Sequence, residues 1–207
     1  MTAGIRIISD QGTIQIDETY RNLFVRVAGV GGTIPAQASD LCAMIPTTIT
    51  GDNYRWGNPV TSTTKWWLFA VLTGTATARF GLQIRDAAGN RIFDTSQQPL
   101  RIVDVLTITN LTAGSKAYPA GRQYAVVPGG SGWKTLKEST TSGAGHLWTN
   151  TTTKYRFGFR VSSNTVYWDW YVWNIDGPWP GEDQSIGNSL TVGDTPATFL
   201  VVDVTGY

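Results

Sequence analysis

Phe159-Arg160-Val161-Ser162-Ser163-Asn164-Thr165-Val166-Tyr167-Trp168-Asp169-Trp170-Tyr171-Val172-Trp173-Asn174-Ile175-Asp176 is the longest run of the chain free of both Gly and Pro, and aromatic and β-branched residues dominate it. Such side chains lose rotamer freedom in a helix and pack well on a pleated surface. In a strand, successive side chains point to opposite faces. Val166, Trp168, Trp170 and Val172 therefore share one face, and Tyr167, Asp169, Tyr171 and Trp173 share the other. Neither face suits open water, because exposing either would create a large apolar patch. Two explanations fit: a central strand covered by the core on one side and by a neighbouring subunit or domain on the other, or a platform whose flat aromatic faces stack on sugar rings.

Outward from this run the same period of two recurs, at Tyr155, Phe157, Phe159 and Val161, at Leu23, Val25 and Val27, and in shorter form at Ile5 and Ile7, Ile14 and Ile16, Leu82 and Ile84, Leu100 and Ile102, and Phe199 and Val201. Turn residues separate the runs, at Asp10-Gln11-Gly12, Gly31-Gly32, Ala88-Gly89-Asn90 and Pro128-Gly129-Gly130. An all-β chain of a dozen or more short strands is expected. Pro35 to Met44 has little amphipathic pattern and is expected to be a loop with at most one turn of helix. The adjacent Trp66 and Trp67 must face opposite ways on a strand, which requires packing on both sides.

Sliding the chain by 77 residues aligns Gly4-Ile5-Arg6-Ile7 with Gly81-Leu82-Gln83-Ile84, Gly12 with Gly89, Ile16-Asp17 with Phe93-Asp94, and Leu23-Phe24-Val25 with Leu100-Arg101-Ile102. The shared pattern describes a strand, a tight turn at Gly, a return strand ending in Asp, and a third strand. It predicts two β-sandwich-like, jelly-roll-like units, each opened by a similar meander: 1–80, serving attachment or assembly, and 81–207, rich in aromatics. Gly4, Gly12, Asp17, Gly81, Gly89 and Asp94 are its structural markers, the two carboxylates being placed to accept turn amides.

Composition narrows the function classes. The 207 residues carry 16 Lys and Arg against 15 Asp and Glu, a formal charge of +1, with 41% hydrophobic and 15% charged residues, 23 Gly and 9 Trp. Nucleic-acid binders draw affinity from clustered cations, whereas here no basic run occurs. No stretch approaches the 18 or so apolar residues of a membrane span, so membrane insertion is not expected. The start of the chain runs directly into strand-like alternation rather than a signal segment. Cys42 is the single cysteine, and its apolar neighbours predict a buried, inert thiol.

The catalytic inventory is thin. His146 is the only histidine, no serine-nucleophile elbow is present, and the usual His or Cys zinc ligands are too few. No metal, cofactor or enzymatic activity is expected, although a glycosidase pair drawn from groups such as Asp169 and Glu182 would meet only in space. Gly29-Val30-Gly31-Gly32 and Gly129-Gly130-Ser131-Gly132 match no phosphate-binding pattern and are expected to be loops. Candidates for interface or glycan contact are Trp148, Trp168, Trp170, Trp173 and Trp179, with Trp179 on a rigid Gly-Pro-Trp-Pro-Gly loop.

The opening from Gly4 to Leu23, with its Gly-Ile-Arg-Ile, Gly12 and Ile16-Asp17, resembles the start of a family of small minor tail proteins of tailed bacteriophages. The copy from Gly81 to Asp94 is similar to the mid-chain hairpin of the same proteins. The resemblance implies a virion component at the tail tip, baseplate or fibre base, made in the host cytoplasm, acting as a structural element or touching the host surface. Its implied partners are other tail proteins, further copies of itself in a trimer or ring, and a host surface glycan or protein. No catalytic residue is carried over.

Overall fold

The computed structural model describes residues 4–9, 12–17, 23–49, 59–71, 81–86, 88–130, 132–141, 148–182, 187–192 and 196–207. Among these the chain is all-β, with every strand pair antiparallel. Strands are numbered in chain order. One sheet has six strands in the spatial order β3 (Leu23–Thr33), β5 (Pro59–Val71), β4 (Leu41–Ile45), β10 (Tyr124–Gly130), β15 (Ala197–Asp203) and β8 (Ile102–Ile108). A second has five, in the order β14 (Ser189–Val192), β11 (Trp133–Thr141), β12 (Trp148–Ser162), β13 (Thr165–Glu182) and β9 (Gly114–Ala117). Two hairpins form separate ladders, β1 (Gly4–Ser9) with β2 (Gly12–Asp17), and β6 (Gln83–Arg85) with β7 (Arg91–Asp94).

Apolar alternation makes the two large sheets a sandwich. Cys42, Met44, Trp66, Leu68, Tyr124, Val126, Phe199 and Val201 point from the six-stranded sheet into a core shared with Phe157, Phe159, Val161 and Val166 of the five-stranded one. Phe159 and Phe199 meet across the layers, ring centroids 5.4 Å apart at 60°. The intervening residues Ala43, Trp67, Phe69, Ala125, Val127 and Val202 point the other way, into a second core completed by Val204. Trp66 and Trp67 thus occupy different cores, which is why neither can be polar.

The six-stranded sheet curls round the second core until its two ends meet. The Leu100 amide donates to the Leu23 carbonyl at 2.7 Å and the Val25 amide to the Gln98 carbonyl at 2.9 Å, while on its other side this segment accepts the Asp203 amide at the Arg101 carbonyl, 2.9 Å. The lead-in to β8 therefore joins β3 to β15. Leu23 and Leu100, equivalent positions of the 77-residue pattern, are direct partners.

Both copies of that pattern are hairpins, in registers that differ by two residues. Gly4 faces Asp17 in the first, whereas Gln83, the counterpart of Arg6, faces Asp94 in the second. In the second hairpin the Asp86 carboxylate accepts the Asn90 amide at 2.8 Å, and Gly89 sits at φ +86°, where a Cβ would be strained. Gly81, at φ +138°, leaves room for Thr95, whose Oγ1 would lie 2.5 Å from an added Cβ. Asp94 is buried, takes the Ser96 amide at 2.8 Å and hydroxyl at 2.6 Å, and pairs with buried Arg91 at 2.8 Å. The side chains of the first hairpin, Asp17 included, lie outside the described residues.

Three expectations are corrected. The 80/81 boundary separates neither sheets nor cores: β3, β4 and β5 share one sheet with β8, β10 and β15, because the return strands β10 and β15 complete a layer that the first 80 residues leave open. Leu41 to Met44 belongs to β4, not to a loop or helical turn, since its alternating side chains enter both cores. The glycine runs are strand segments. Gly29–Gly32 lies in β3 and Gly129–Gly130 in β10, each beside a register shift of its ladder. Gly29 is required because an added Cβ would lie 2.4 Å from Cζ2 of Trp66.

Candidate functional site

β13 divides its aromatics by parity. Val166 is fully buried, and Trp168 and Trp170 pack against the shared core, Trp170 edge-on to Phe157 at 5.1 Å. The Trp168 indole donates to the Thr112 carbonyl at 3.1 Å and fits only because position 114 is glycine, where a Cβ would come within 2.9 Å of its Nε1. Trp168 and Trp170 are therefore partly buried against the core, on the face opposite to Trp173. Trp170 is opposite Phe157 and Trp168 opposite Phe159 in the ladder.

The outer face carries Tyr167, Asp169, Tyr171 and Trp173, with Arg156 and Arg160 beside them on β12. Arg160 lies over Tyr167 at 3.8 Å and Arg156 over Trp173 at 4.5 Å. Each such contact contributes about 0.5–1 kcal/mol at an exposed site. Each of these two rings thereby carries a cation against one of its faces rather than another layer.

A groove of about 370 Å³ crosses this face, lined by Trp133, Thr135, Lys154, Arg156 and Trp173, with Lys134 and Tyr155 between them. Register explains it: Trp133 is opposite Arg156 and Thr135 opposite Lys154, so all four point outward. Trp173 is the extra residue of a β-bulge, because Tyr155 faces Val172 while Lys154 faces Asn174. Bulges re-aim side chains. Here Trp173 and Asn174 both contact outward-facing groups, Trp173 under Arg156 and Asn174 donating to Asp176 at 2.8 Å. Lys154 pairs with Asp176 at 2.6 Å, and that ammonium, with the Asn174 amide, holds the Asp176 carboxyl below the usual carboxylate range. Two aromatic walls, Trp133 and Trp173, thus flank a cationic floor on the middle strand, and both walls are nearly half exposed.

The inner face of the same sheet changes character along its length. β13 spans 18 residues against 7 in β15, about 60 Å of strand against about 23 Å at 3.3 Å per residue, so the five-stranded sheet outruns the layer that covers it. On that uncovered part Val172, Ile175 and Leu190 are 49%, 54% and 59% exposed. Ile175, Thr153, Leu136 and Leu190 are successive cross-strand partners, which makes one row across four strands.

Trp133 escaped the sequence reading, although Trp133, Thr135 and Lys137 alternate with Lys134 and Leu136 just after Gly132 and could have marked it. Trp148 begins β12 opposite Glu182, and Trp179 lies within β13 opposite Asn150 rather than on a loop, since the ladder runs on past Gly177 and Pro178. The side chains of Trp148, Trp179 and Glu182, and the whole of His146, lie outside the described residues. Among those that are described, no three His, Cys, Asp or Glu side chains converge as a metal site. Cys42 is buried, as its apolar neighbours predict.

Comparison with family models, with curated proteins and with solved structures found no match. Fold and surface alone define the class: a β-sandwich-like protein built on two large antiparallel sheets, with an aromatic and cationic groove on one exposed sheet face.

Proposed function

We propose that the chain is a structural, non-enzymatic component of a tailed-bacteriophage tail tip, baseplate or fibre base, and that it assembles with further copies of itself through the uncovered inner face of the five-stranded sheet. The observation that carries the assembly is the exposure of Ile175 and Leu190, at the ends of one cross-strand row, and of Val172 beside them, on a face that elsewhere buries Phe157, Phe159 and Val166 completely. Fully burying side chains of this kind stabilises by about 1.5–3 kcal/mol each, so half-exposed residues gathered on one face retain much of that drive for a partner surface. The resemblance of the two hairpin segments to minor tail proteins supports the location in the particle.

Two measurements test the two parts. Light scattering of the purified chain is expected to give an oligomer that Ile175→Lys or Leu190→Glu converts to a monomer with an unchanged far-UV spectrum. A wild-type monomer at tens of micromolar removes the assembly. Mass spectrometry of purified virions is expected to detect the chain, and its absence from the particle removes the location.

A further inference from the structure

We propose that the groove between Trp133 and Trp173 binds an acidic saccharide, one carrying carboxylate, sulfate or phosphate groups on pyranose rings. The inference concerns the outer face of the five-stranded sheet and is independent of assembly through the inner one.

Three features of the groove select this ligand class. The first is its walls. Trp133 and Trp173 stand on strands that flank β12, two interstrand spacings or about 9–10 Å apart, and both indoles are accessible at 45% and 43%. A pyranose ring offers a flat C–H surface to such a wall while its hydroxyls remain wet. The second is the floor. Asp176 takes one of the three ammonium donors of Lys154, so the lysine is held in place with donors left for a ligand oxygen. The Arg156 guanidinium lies over Trp173, which sets a cation beside an aromatic wall. An anionic substituent on a stacked sugar would meet both. The third is size: about 370 Å³ is near the lower end of the roughly 300–1,000 Å³ usual for small-ligand sites, which suits one or two sugar rings.

Two competing ligands are disfavoured on the same face. A neutral sugar would use the walls but offer the remaining Lys154 ammonium donors only hydroxyls, which accept more weakly from a cation than an anionic oxygen does. Single-stranded nucleic acid also stacks on aromatics, but it needs a positive channel that tracks its backbone. Here Asp169 and Asp176 interrupt the cations, and the chain as a whole carries only +1.

Calorimetric titration of the full chain tests this, with a uronate oligomer, a sialylated, a sulfated and a phosphorylated oligosaccharide, their neutral counterparts, and oligothymidylate as probes. At least one acidic saccharide is expected to bind, with its neutral counterpart weaker by about tenfold or more. Trp133→Ala and Trp173→Ala are each expected to weaken that binding by a similar factor while the melting midpoint stays within a few degrees. Arg156→Gln should remove the preference for the acidic over the neutral form, and Leu190→Glu, on the opposite face, should leave binding intact. The proposal is overturned if none of the acidic saccharides binds, if neutral sugars bind equally well, if Trp133→Ala keeps full affinity, or if oligothymidylate binds more tightly than any sugar.

Discussion

Phe159→Ala probes whether the two sheets are one cooperative body. Phe159 is fully buried on β12 and meets Phe199 of β15 at 5.4 Å, and β15 is in the same sheet as β4 and β5 from the first 80 residues. Truncating a buried Phe costs about 3–5 kcal/mol, a large part of the roughly 5–15 kcal/mol that holds a typical domain folded. For a chain of this length each kcal/mol moves the thermal midpoint by about 2–4 °C, so a fall of about 6–20 °C is expected. Far-UV circular dichroism and tryptophan fluorescence should report the same single transition, because Trp66 and Trp67 lie in one sheet and Trp168 and Trp170 in the other. A double-mutant cycle with Phe199→Ala should show a coupling of about 0.5–1.5 kcal/mol, the usual worth of an aromatic pair beyond its buried area. Two transitions of which only one moves, or strict additivity of the two substitutions, would refute the shared core and restore a division at residue 81.

Gly29→Ala should lower the urea midpoint by an amount worth about 1–3 kcal/mol, because the new Cβ would sit 2.4 Å from a Trp66 ring that is buried and tied by its Nε1 to the Gly31 carbonyl at 3.0 Å; an unchanged midpoint contradicts this packing. Burial pushes the Asp203 carboxyl up, but the Thr205 hydroxyl and amide together with Arg101 and Arg122 outweigh it and leave the folded-state value below the ordinary one. With the unfolded carboxyl near 3.9, its contribution is complete above about pH 4 and is lost as pH falls through the folded value. Asp203→Asn should therefore be less stable than wild type at pH 7 and show a smaller loss between pH 5 and pH 2, and parallel curves would contradict it. Asp94→Ala leaves Arg91 buried without its partner, a lesion of about 3–5 kcal/mol in comparable pairs. Hydrogen exchange should then accelerate in β6 and β7 while β10 stays protected, and uniform acceleration would show that the hairpin is not a separate unit.

The strands were legible wherever a face alternates, because period two reports burial on one side. They were less legible where the fold depends on both sides at once. Cys42-Ala43-Met44 carries no alternation in hydrophobicity, since both of its faces are buried in different cores, and so it passed for a loop. Glycine misled for a related reason. Gly29 is small because Trp66 lies against it, and Gly31 and Gly32 adopt φ of +62° and +70° at a register shift inside β3. A sequence shows that a position needs glycine but not whether a turn, a bulge or a neighbouring indole imposes the need. The 77-residue repeat correctly marked two hairpins, yet it could not show that their following segments join each other through Leu23 and Leu100, a long-range closure with no local signature.

The candidate site separates what parity can and cannot give. Parity alone placed Trp168 and Trp170 on one face and Trp173 on the other, and the register sets the first two opposite the buried Phe159 and Phe157, against the same core. The groove needed the cations as well. Lys137, Lys154, Arg156 and Arg160 are scattered along the chain, and as a one-dimensional pattern they exclude a basic patch. Pairing β11 with β12 gathers all four on the outer face, against Asp169 and Asp176. Net charge averages over the whole surface, whereas a ligand meets a single face. A chain of +1 can therefore present a locally cationic floor between two tryptophans. The bulge that aims Trp173 at Arg156 is the one element of that arrangement with no mark in the sequence, since it arises from a mismatch in count between two paired strands rather than from any residue in either.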